Sequence, residues 1–326
     1  LLASNAAIPP GSFCLLSEAV VHLDTGNAAP VFRRQYPVPK AAQPALDSQV
    51  LKWLDAGVIE PATLSPWNNP LLCVAKKDAQ GNKTGVRVCL DPRQLNQLLP
   101  DEKYPIPLIG SILESLAGAS FFSALDLRES YLQFPISPAD RCKTAFTWNG
   151  RQYQFKGAIW GLKPMSAVFQ RVMSLLLGDL PFVRGFIDDI VVFSATLADH
   201  IRDLAVVLER LTRANLSLRR EKCTFGVPSL VLLGHHVSAH GVSLDRSKLV
   251  DVLDLHRPAT GKEVMSFLGT VNYFRSFIPA LSSLAEPLDR LRQSKRITDD
   301  DWTPECESSW TALRAILQEA PFLSFP

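Results

Sequence analysis

No uncharged apolar run in this 326-residue sequence reaches the roughly 18 residues that a membrane-spanning helix needs, which excludes such a helix. Residues 1–16 lack a basic segment and are interrupted by Pro9-Pro10, unlike a secretory signal. An excess of one charge is also missing. The 34 Lys and Arg nearly balance the 32 Asp and Glu, so no global basic field announces a nucleic-acid partner. The six cysteines, Cys14, Cys73, Cys89, Cys142, Cys223 and Cys306, are scattered and form no Cys-x-x-Cys pair. They read as reduced thiols of a cytosolic-type compartment, not as a disulfide frame or zinc site. There is no Walker loop, no Gly-x-Ser-x-Gly and no His-Glu-x-x-His. Internal repeats and low-complexity tracts are absent too. With 47% hydrophobic and 20% charged residues the chain is globular, and disorder over most of its length is excluded. Its length allows about two domains, or one large multi-lobed one. The first residue is not Met and the chain ends on an apolar stub, so both ends are expected to be cuts within a longer protein.

Apolar spacing predicts helices over residues 45–56, 109–116, 166–177 and 198–213, the last with Ile201, Leu204, Val207, Leu208 and Leu211 inward. Hairpins are expected over 69–90, over 144–155 around Asn149-Gly150, and over 182–193. Residues 121–127 and 230–237 each read as one strand, and residues 1–35 as loop. From Ser247 onward the pattern is helical, in pieces broken by Pro258, Pro279, Pro287 and Pro304. This mixture indicates an α+β body with an appended helical subdomain. Between Arg141 and Arg171 lie six Lys or Arg and no acidic residue, interleaved with Phe146, Trp148, Tyr153, Phe155, Trp160 and Phe169. Such a stretch suits either a surface that holds phosphates and stacks bases or a hairpin with a basic solvated face.

The most informative segment is Gly185-Phe186-Ile187-Asp188-Asp189-Ile190-Val191-Val192-Phe193. Two adjacent carboxylates sit in a run otherwise fit for a buried strand, where an unpaired carboxylate costs on the order of several kcal/mol. Asp126, ending the apolar run Ala124-Leu125-Asp126-Leu127, is a second anomaly of the same kind. Three carboxylates from two strands can hold two Mg²⁺ ions, which clamp the attacking and leaving oxygens of an in-line phosphoryl displacement. The competing reading makes Asp188-Asp189 an exposed turn and Asp126 a strand-end cap.

Six segments, in order, resemble the reverse transcriptase domain of gypsy-type LTR retrotransposons and, more distantly, retroviral reverse transcriptases. Phe186-Ile187-Asp188-Asp189 resembles the Tyr-x-Asp-Asp box. Leu125-Asp126-Leu127-Arg128-Glu129-Ser130-Tyr131 resembles the first catalytic motif. Residues 86–96, Val86-Arg87-Val88-Cys89-Leu90-Asp91-Pro92-Arg93-Gln94-Leu95-Asn96, resemble the fingers motif. Trp160-Gly161-Leu162 through Phe169-Gln170, Lys222-Cys223-Thr224-Phe225 with Leu233-Gly234-His235, and Phe267-Leu268-Gly269 through Phe277-Ile278-Pro279 resemble later elements. Ser166 and Pro92 depart from the family pattern and imply altered loop geometry.

The resemblance implies a right-hand polymerase fold with an antiparallel palm sheet and a helical thumb. Its expected divisions are an N-terminal extension (1–35), fingers (36–103 and 136–164), palm (104–135 and 165–245, the latter with the primer grip) and thumb with the start of the connection (246–326). It implies RNA-directed and DNA-directed DNA polymerisation: dNTPs added to a primer 3′-OH with two Mg²⁺, or Mn²⁺ as substitute. The alternative is a catalytically idle, nucleic-acid-binding scaffold. Asp126, Asp188 and Asp189 would hold the metals with the Leu127 carbonyl. Lys76, Lys77, Arg87, Arg128, Glu129, Ser130, Tyr131 and Trp160 would bind the nucleotide, Tyr131 lying under its sugar. Lys222 is the general-acid candidate. Leu233, Gly234, Lys248, Arg275, Arg290 and Arg292 would meet primer and template. The expected partners are an RNA or DNA template with primer and the protease, RNase H and integrase domains of a parent polyprotein, with no membrane. The expected place is a virus-like particle in the cytoplasm, or the nucleus. Two other features carry less. Asp24-Thr25-Gly26 mimics an aspartic-protease site but lacks its context, and His235, His236 and His240 lack zinc spacing.

Overall fold

The computed structural model describes residues 1–77, 83–244, 256–319 and 322–323. The chain forms two compact units, one of Leu1–Ile106, Ala124–Val192 and Ile201–Thr224, the other of Pro107–Ser123, Phe193–His200 and Phe225–Pro326.

In the first unit, α1 (Leu2–Ala6) precedes an irregular segment and α2 (Gln43–Asp55). The segment is loop in form but not loosely attached: Ile8, Cys14, Ala19, Val21 and Leu23 are buried. Strand β1 (Ile59–Pro61) is followed by the hairpin of β2 (Leu71–Lys77) and β3 (Lys83–Leu90), then α3 (Arg93–Asn96). Pro92 caps α3, where its missing N–H costs nothing. Strands β5 (Phe146–Trp148) and β6 (Arg151–Phe155) join β1 in a sheet of order β1-β6-β5, turning at Asn149-Gly150 as its positive φ values require. Trp53 of α2 meets Phe155 edge-on at 5.1 Å, and Phe134 stacks on Phe169 at 4.8 Å, so aromatic packing forms much of this core. Helix α5 (Met165–Leu177) buries Met165, Val168, Phe169, Gln170, Val172 and Met173. Strands β7 (Val183–Phe186) and β8 (Asp189–Ser194) form a hairpin in register Phe186 to Asp189, leaving Ile187-Asp188 as its two-residue turn. With β4 (Phe121–Leu125) and β9 (Thr224–Val227) the sheet order is β7-β8-β4-β9.

Helix α6 (Leu197–Arg213) departs from expectation. Val207, Leu208 and Leu211 are buried, but Ile201 is 62% exposed. His200 takes the inward place because its ring nitrogens reach Ser123 at 2.7 Å and Ser194 at 3.1 Å. Ile201 lies about 100° around the helix from it.

In the second unit, the run 230–237 is two strands, not one. Strand β10 (Ser229–Leu232) and β11 (His235–Ser238) turn at Leu233-Gly234, both with positive φ, and β12 (Gly241–Leu244) and β13 (Phe322–Leu323) complete the order β10-β11-β12-β13. The region after 247 is therefore not wholly helical. Its helices among the described residues are Gly261–Tyr273, Leu281–Asp289 and Pro304–Glu319, besides α4 (Ile109–Glu114) earlier in the chain. Pro287 lies inside its helix instead of breaking it, and Pro304 opens the last one. Thr260 caps the first, accepting from the Glu263 N–H while Glu263 accepts from Ala259 N–H. Among the described residues no helix is long and apolar enough to cross a membrane.

Candidate active site

Strand β4 ends at Leu125, so Asp126 stands just beyond it. The backbone there is paired with residues 217–219. Leu127 bridges Leu218, Arg219 N–H donates to the Asp126 carbonyl at 2.8 Å, and Arg128 N–H donates to the Ser217 carbonyl at 2.9 Å. The Cys223 Sγ lies 3.4 Å from the Asp126 N–H. This pairing fixes the aspartate's backbone while leaving its side chain 40% exposed.

The turn Ile187-Asp188 carries the second carboxylate. Ile187 has φ +54°, unusual for a β-branched residue and costing about 1–3 kcal/mol. Buried Gln170 of α5 holds the turn: its Oε1 accepts from the Ile187 N–H at 2.8 Å and its Nε2 donates to the Gly185 carbonyl at 3.2 Å. Asp188 is thereby presented to a cleft of about 330 Å³.

That cleft gathers Arg87, Asp126, Leu127, Glu129, Ser130, Trp160, Asp188 and Lys222. Lys222 Nζ sits 3.6 Å from Asp126 Oδ2 across solvent-exposed side chains, a loose pair that opens readily. Asp189 opens β8, is exposed and does not line the cleft. Its carboxyl is nevertheless crowded: partial desolvation, then the Asp188 and Asp126 charges, raise its pKa. The three carboxylates therefore act on one another. Among the described residues no three His, Cys, Asp or Glu side chains form a finished metal cage. Two carboxylates on an open cleft fit a Mg²⁺-type ion that completes its shell with substrate oxygens and water.

Tyr131 is 6% exposed, packed edge-on against Trp160 at 4.9 Å and Phe169 at 5.5 Å. Burial, with the Asp188 charge and despite a hydrogen bond to Ser166, pushes its pKa up to about 12. Trp160 is 59% exposed and lines the cleft, as do the buried Trp53 and Phe155. Glu129 holds φ +46°, and the carbonyl of Arg128 accepts from Gln133 Nε2 at 2.7 Å. Lys76 and Lys77 end β2, and their side chains lie outside the described residues, as does Lys248.

Four of the six basic residues of 141–171 are engaged at home: Arg141 with Glu60, Lys143 with Asp140, Lys163 with Asp101 and Arg171 with Glu102. Phe146, Tyr153, Phe155 and Phe169 are core, and Trp148 Nε1 donates to Asp47. The stretch folds as the β5–β6 hairpin followed by α5, with four of its basic residues paired and Trp160 as the exposed aromatic of the six.

In the second unit, the Leu233 carbonyl accepts from the Tyr273 hydroxyl and from His235 Nδ1, the latter at 2.7 Å. A Cβ on Gly234 would come within 3.3 Å of the Tyr273 hydroxyl. Burial lowers the His235 pKa, and its ring stacks on Phe277 at 5.6 Å. Arg290 pairs with Glu286 at 2.5 Å and Arg292 with Asp289 at 2.7 Å. Arg275 and Arg292 border a separate cavity of about 470 Å³. Asp24 accepts from Gly26 N–H in a local turn.

Two contributors escaped the sequence reading. Arg219 lines the cleft, and the only hint was the basic cluster Arg219-Arg220 before Lys222. Gln170 lay within a recognised motif, but nothing in its neighbours shows that it holds the turn.

The profile of the family described as "Reverse transcriptase (RNA-dependent DNA polymerase)" matches residues 74–269. The chain is 30% identical over 325 residues to the retrovirus-related Pol polyprotein from transposon 297 of Drosophila melanogaster, covering 99% of this chain and 30% of that protein. It is 36% identical over 270 residues to the Pol polyprotein from transposon gypsy of the same organism, covering 81% of this chain and 26% of that protein. The chain thus spans under a third of the length of these relatives. The structure of a foamy viral protease-reverse transcriptase in complex with double-stranded DNA superposes with a TM-score of 0.85 at 26% identity, covering 96% of this chain and 54% of that one. The fold is the right-hand polymerase fold, α+β with antiparallel sheets. The chain belongs to the reverse transcriptase (RNA-dependent DNA polymerase) family and resembles its gypsy-type members.

Proposed function

We propose that this chain copies RNA and DNA templates into DNA, adding dNTPs to a primer 3′-OH, as part of a retroelement polyprotein. The observation that carries this reading is the convergence of Asp126 and Asp188 with Arg87 and Lys222 on one open cleft. Asp126, Asp188 and the Leu127 carbonyl would hold Mg²⁺, or Mn²⁺ in its place, and Asp189 would tune the site's charge from behind. Bound there, the two ions would supply Lewis-acid stabilisation of the attacking and leaving oxygens.

The remaining work falls to the chain's own side chains. Arg87, on the exposed end of β3, reaches the triphosphate, with Lys76 and Lys77 from the same hairpin. Lys222, released from Asp126, can give a proton to the departing pyrophosphate. Trp160 bounds the base and sugar, and Tyr131 behind it fixes the depth of the sugar pocket. Residues 36–103 with 136–164, 104–135 with 165–245, and 246–326 would serve as fingers, palm and thumb. RNase H, integrase and protease would be supplied by the parent polyprotein, acting in a virus-like particle of the cytoplasm or in the nucleus. Primer extension on poly(rA)/oligo(dT) with Mg²⁺ tests the reading. Template-dependent extension is expected. Binding of template-primer without extension would instead establish the idle scaffold.

A further inference from the structure

We infer that Asn5, in the N-terminal helix α1, is a positioning residue for the catalytic aspartate Asp126, acting through the backbone of residues 216–219; this rests on the polymerase reading of the cleft. Asn5 is 2% exposed although helix α1 is short and lies far outside the family-matched region 74–269. Its amide is fully engaged. Nδ2 donates to the Leu216 carbonyl at 2.9 Å and to Thr212 Oγ1 at 3.0 Å, and Oδ1 accepts from the Leu218 N–H at 2.8 Å. Two of those bonds grip the backbone on either side of Ser217.

Residues 217–219 are the partner strand of Asp126. Ser217 takes the Arg128 N–H, Leu218 bridges Leu127, and Arg219 donates to the Asp126 carbonyl. Ser217 is also pinned from its other side by buried Gln133, whose Oε1 accepts from the Ser217 N–H at 2.6 Å. Asp126 stands past the end of β4, so this short pairing is its local support. A side-chain amide can bond a backbone N–H and a C=O at once, and an apolar residue here would leave both buried groups unsatisfied. The clamp therefore converts docking of the N-terminal segment into rigidity at the carboxylate. The same segment also buries Ile8, whose apolar side chain can bond no backbone of 216–219 and which serves as the packing control.

The test compares Asn5→Ala, Thr212→Val and Ile8→Ala in the full chain. Amide hydrogen exchange is read at 126–128 and 217–219, and primer extension is read as kcat, KM for dNTP and half-saturating Mg²⁺. Asn5→Ala is expected to speed exchange at both stretches and to lower kcat between about 10- and 100-fold with half-saturating Mg²⁺ raised, as a displaced catalytic group requires. Thr212→Val, which removes one of three bonds, should give a weaker effect of the same kind. Ile8→Ala should lower the melting temperature without changing exchange at 126–128 or the Mg²⁺ requirement. Unchanged exchange at 126–128 in both Asn5→Ala and Thr212→Val overturns the inference, as does an Ile8→Ala profile matching that of Asn5→Ala. If the wild-type chain extends no primer, the polymerase reading fails, and the exchange data still decide whether the clamp exists.

Discussion

The charged side chains of the cleft and those of the second unit are held in opposite ways. Asp126 and Asp188 have their backbones fixed, by residues 217–219 and by Gln170, while their carboxylates stay available. Arg290 and Arg292 have their charged ends fixed instead, by Glu286 and Asp289 of the helix that ends just before them. The first arrangement is preorganised for a ligand that must be placed within a fraction of an ångström. The second leaves exposed pairs worth about 0–1 kcal/mol, which a phosphate can displace at little cost. Chemistry thus calls for backbone support, whereas tracking a polyanion calls only for charge that can be exchanged.

Breaking the cleft side should have the largest effect. Asp188→Asn should lower primer extension by on the order of 10³-fold or more, because metal-supported charge stabilisation supplies several kcal/mol. Its melting temperature should stay level or rise, since one of the charges that raise the Asp189 pKa is gone. Near wild-type extension by the purified variant would remove Asp188 from the metal site. Gln170→Leu comes next. It should cost about 1–3 kcal/mol of stability, from an unsatisfied Ile187 N–H and Gly185 carbonyl, and lower kcat more than it raises KM. An unchanged kcat in a folded Gln170→Leu protein would show that the turn supports itself.

The same contrast explains what the sequence disclosed. Asp126 and Asp188, which meet at the cleft, stood out because carboxylates inside apolar runs demand a reason; Asp189 stood out with them but does not line the cleft. The hairpin around Asn149-Gly150 was legible because those residues accept positive φ. Gln170 and Asn5 were not, because their work is to bond backbone: Asn5 meets Leu216 across 211 residues of sequence. The turn at Leu233-Gly234 was hidden by a non-glycine residue, Leu233, at φ +47°. The interleaved aromatics left two readings open for the converse reason, since composition does not tell a core-facing ring from a solvent-facing one, and Trp160 alone of the six is exposed.

Tyr131 sharpens the comparison beside the cleft, since it is a core residue packed against Trp160 of the cleft wall, and the proposed sugar pocket would have it as its floor. Tyr131→Val should raise rNTP relative to dNTP incorporation by about 10-fold or more, if a 2′-OH is excluded by the ring held against Trp160. Parallel loss of both rates at a constant ratio, with a lowered melting temperature, would make Tyr131 a core residue alone. On the other side, neutralising Arg275 and Arg290 together should lower the slope of log affinity for template-primer against log salt by about 1 to 2, through fewer released counterions. The kcat at saturating template-primer should stay as it was. An unchanged slope would take both arginines off the nucleic-acid track.

The smallest expected effect sets one ion pair from each unit side by side. Asp91 is 6% exposed and bidentate with Arg93, Oδ1 to Nε at 2.8 Å and Oδ2 to Nη2 at 2.7 Å, with Tyr36 also donating to Oδ2. The Arg93 hydrogen bonds lower the Asp91 pKa against the pull of burial. A carboxylate whose pKa is lower in the folded than in the unfolded chain stabilises the fold above its unfolded value, here near 3.8, and that stabilisation is lost as pH falls through the folded value. Asp91→Asn should therefore lower stability near neutral pH by about 0.5–1 kcal/mol, a modest figure because the Arg93 side chain is 71% exposed. The difference from wild type should hold down to about pH 4 and shrink below it, measured by urea unfolding at pH 7, 4.5 and 3. Glu286 and Arg290 are exposed on a helix surface, so Glu286→Gln should move no unfolding midpoint at any of these pH values. If Glu286→Gln proved as destabilising as Asp91→Asn, the arginines of the second unit would be locked by their carboxylate partners. They would then not be free to exchange their carboxylates for phosphates, and the contrast between the two units would collapse.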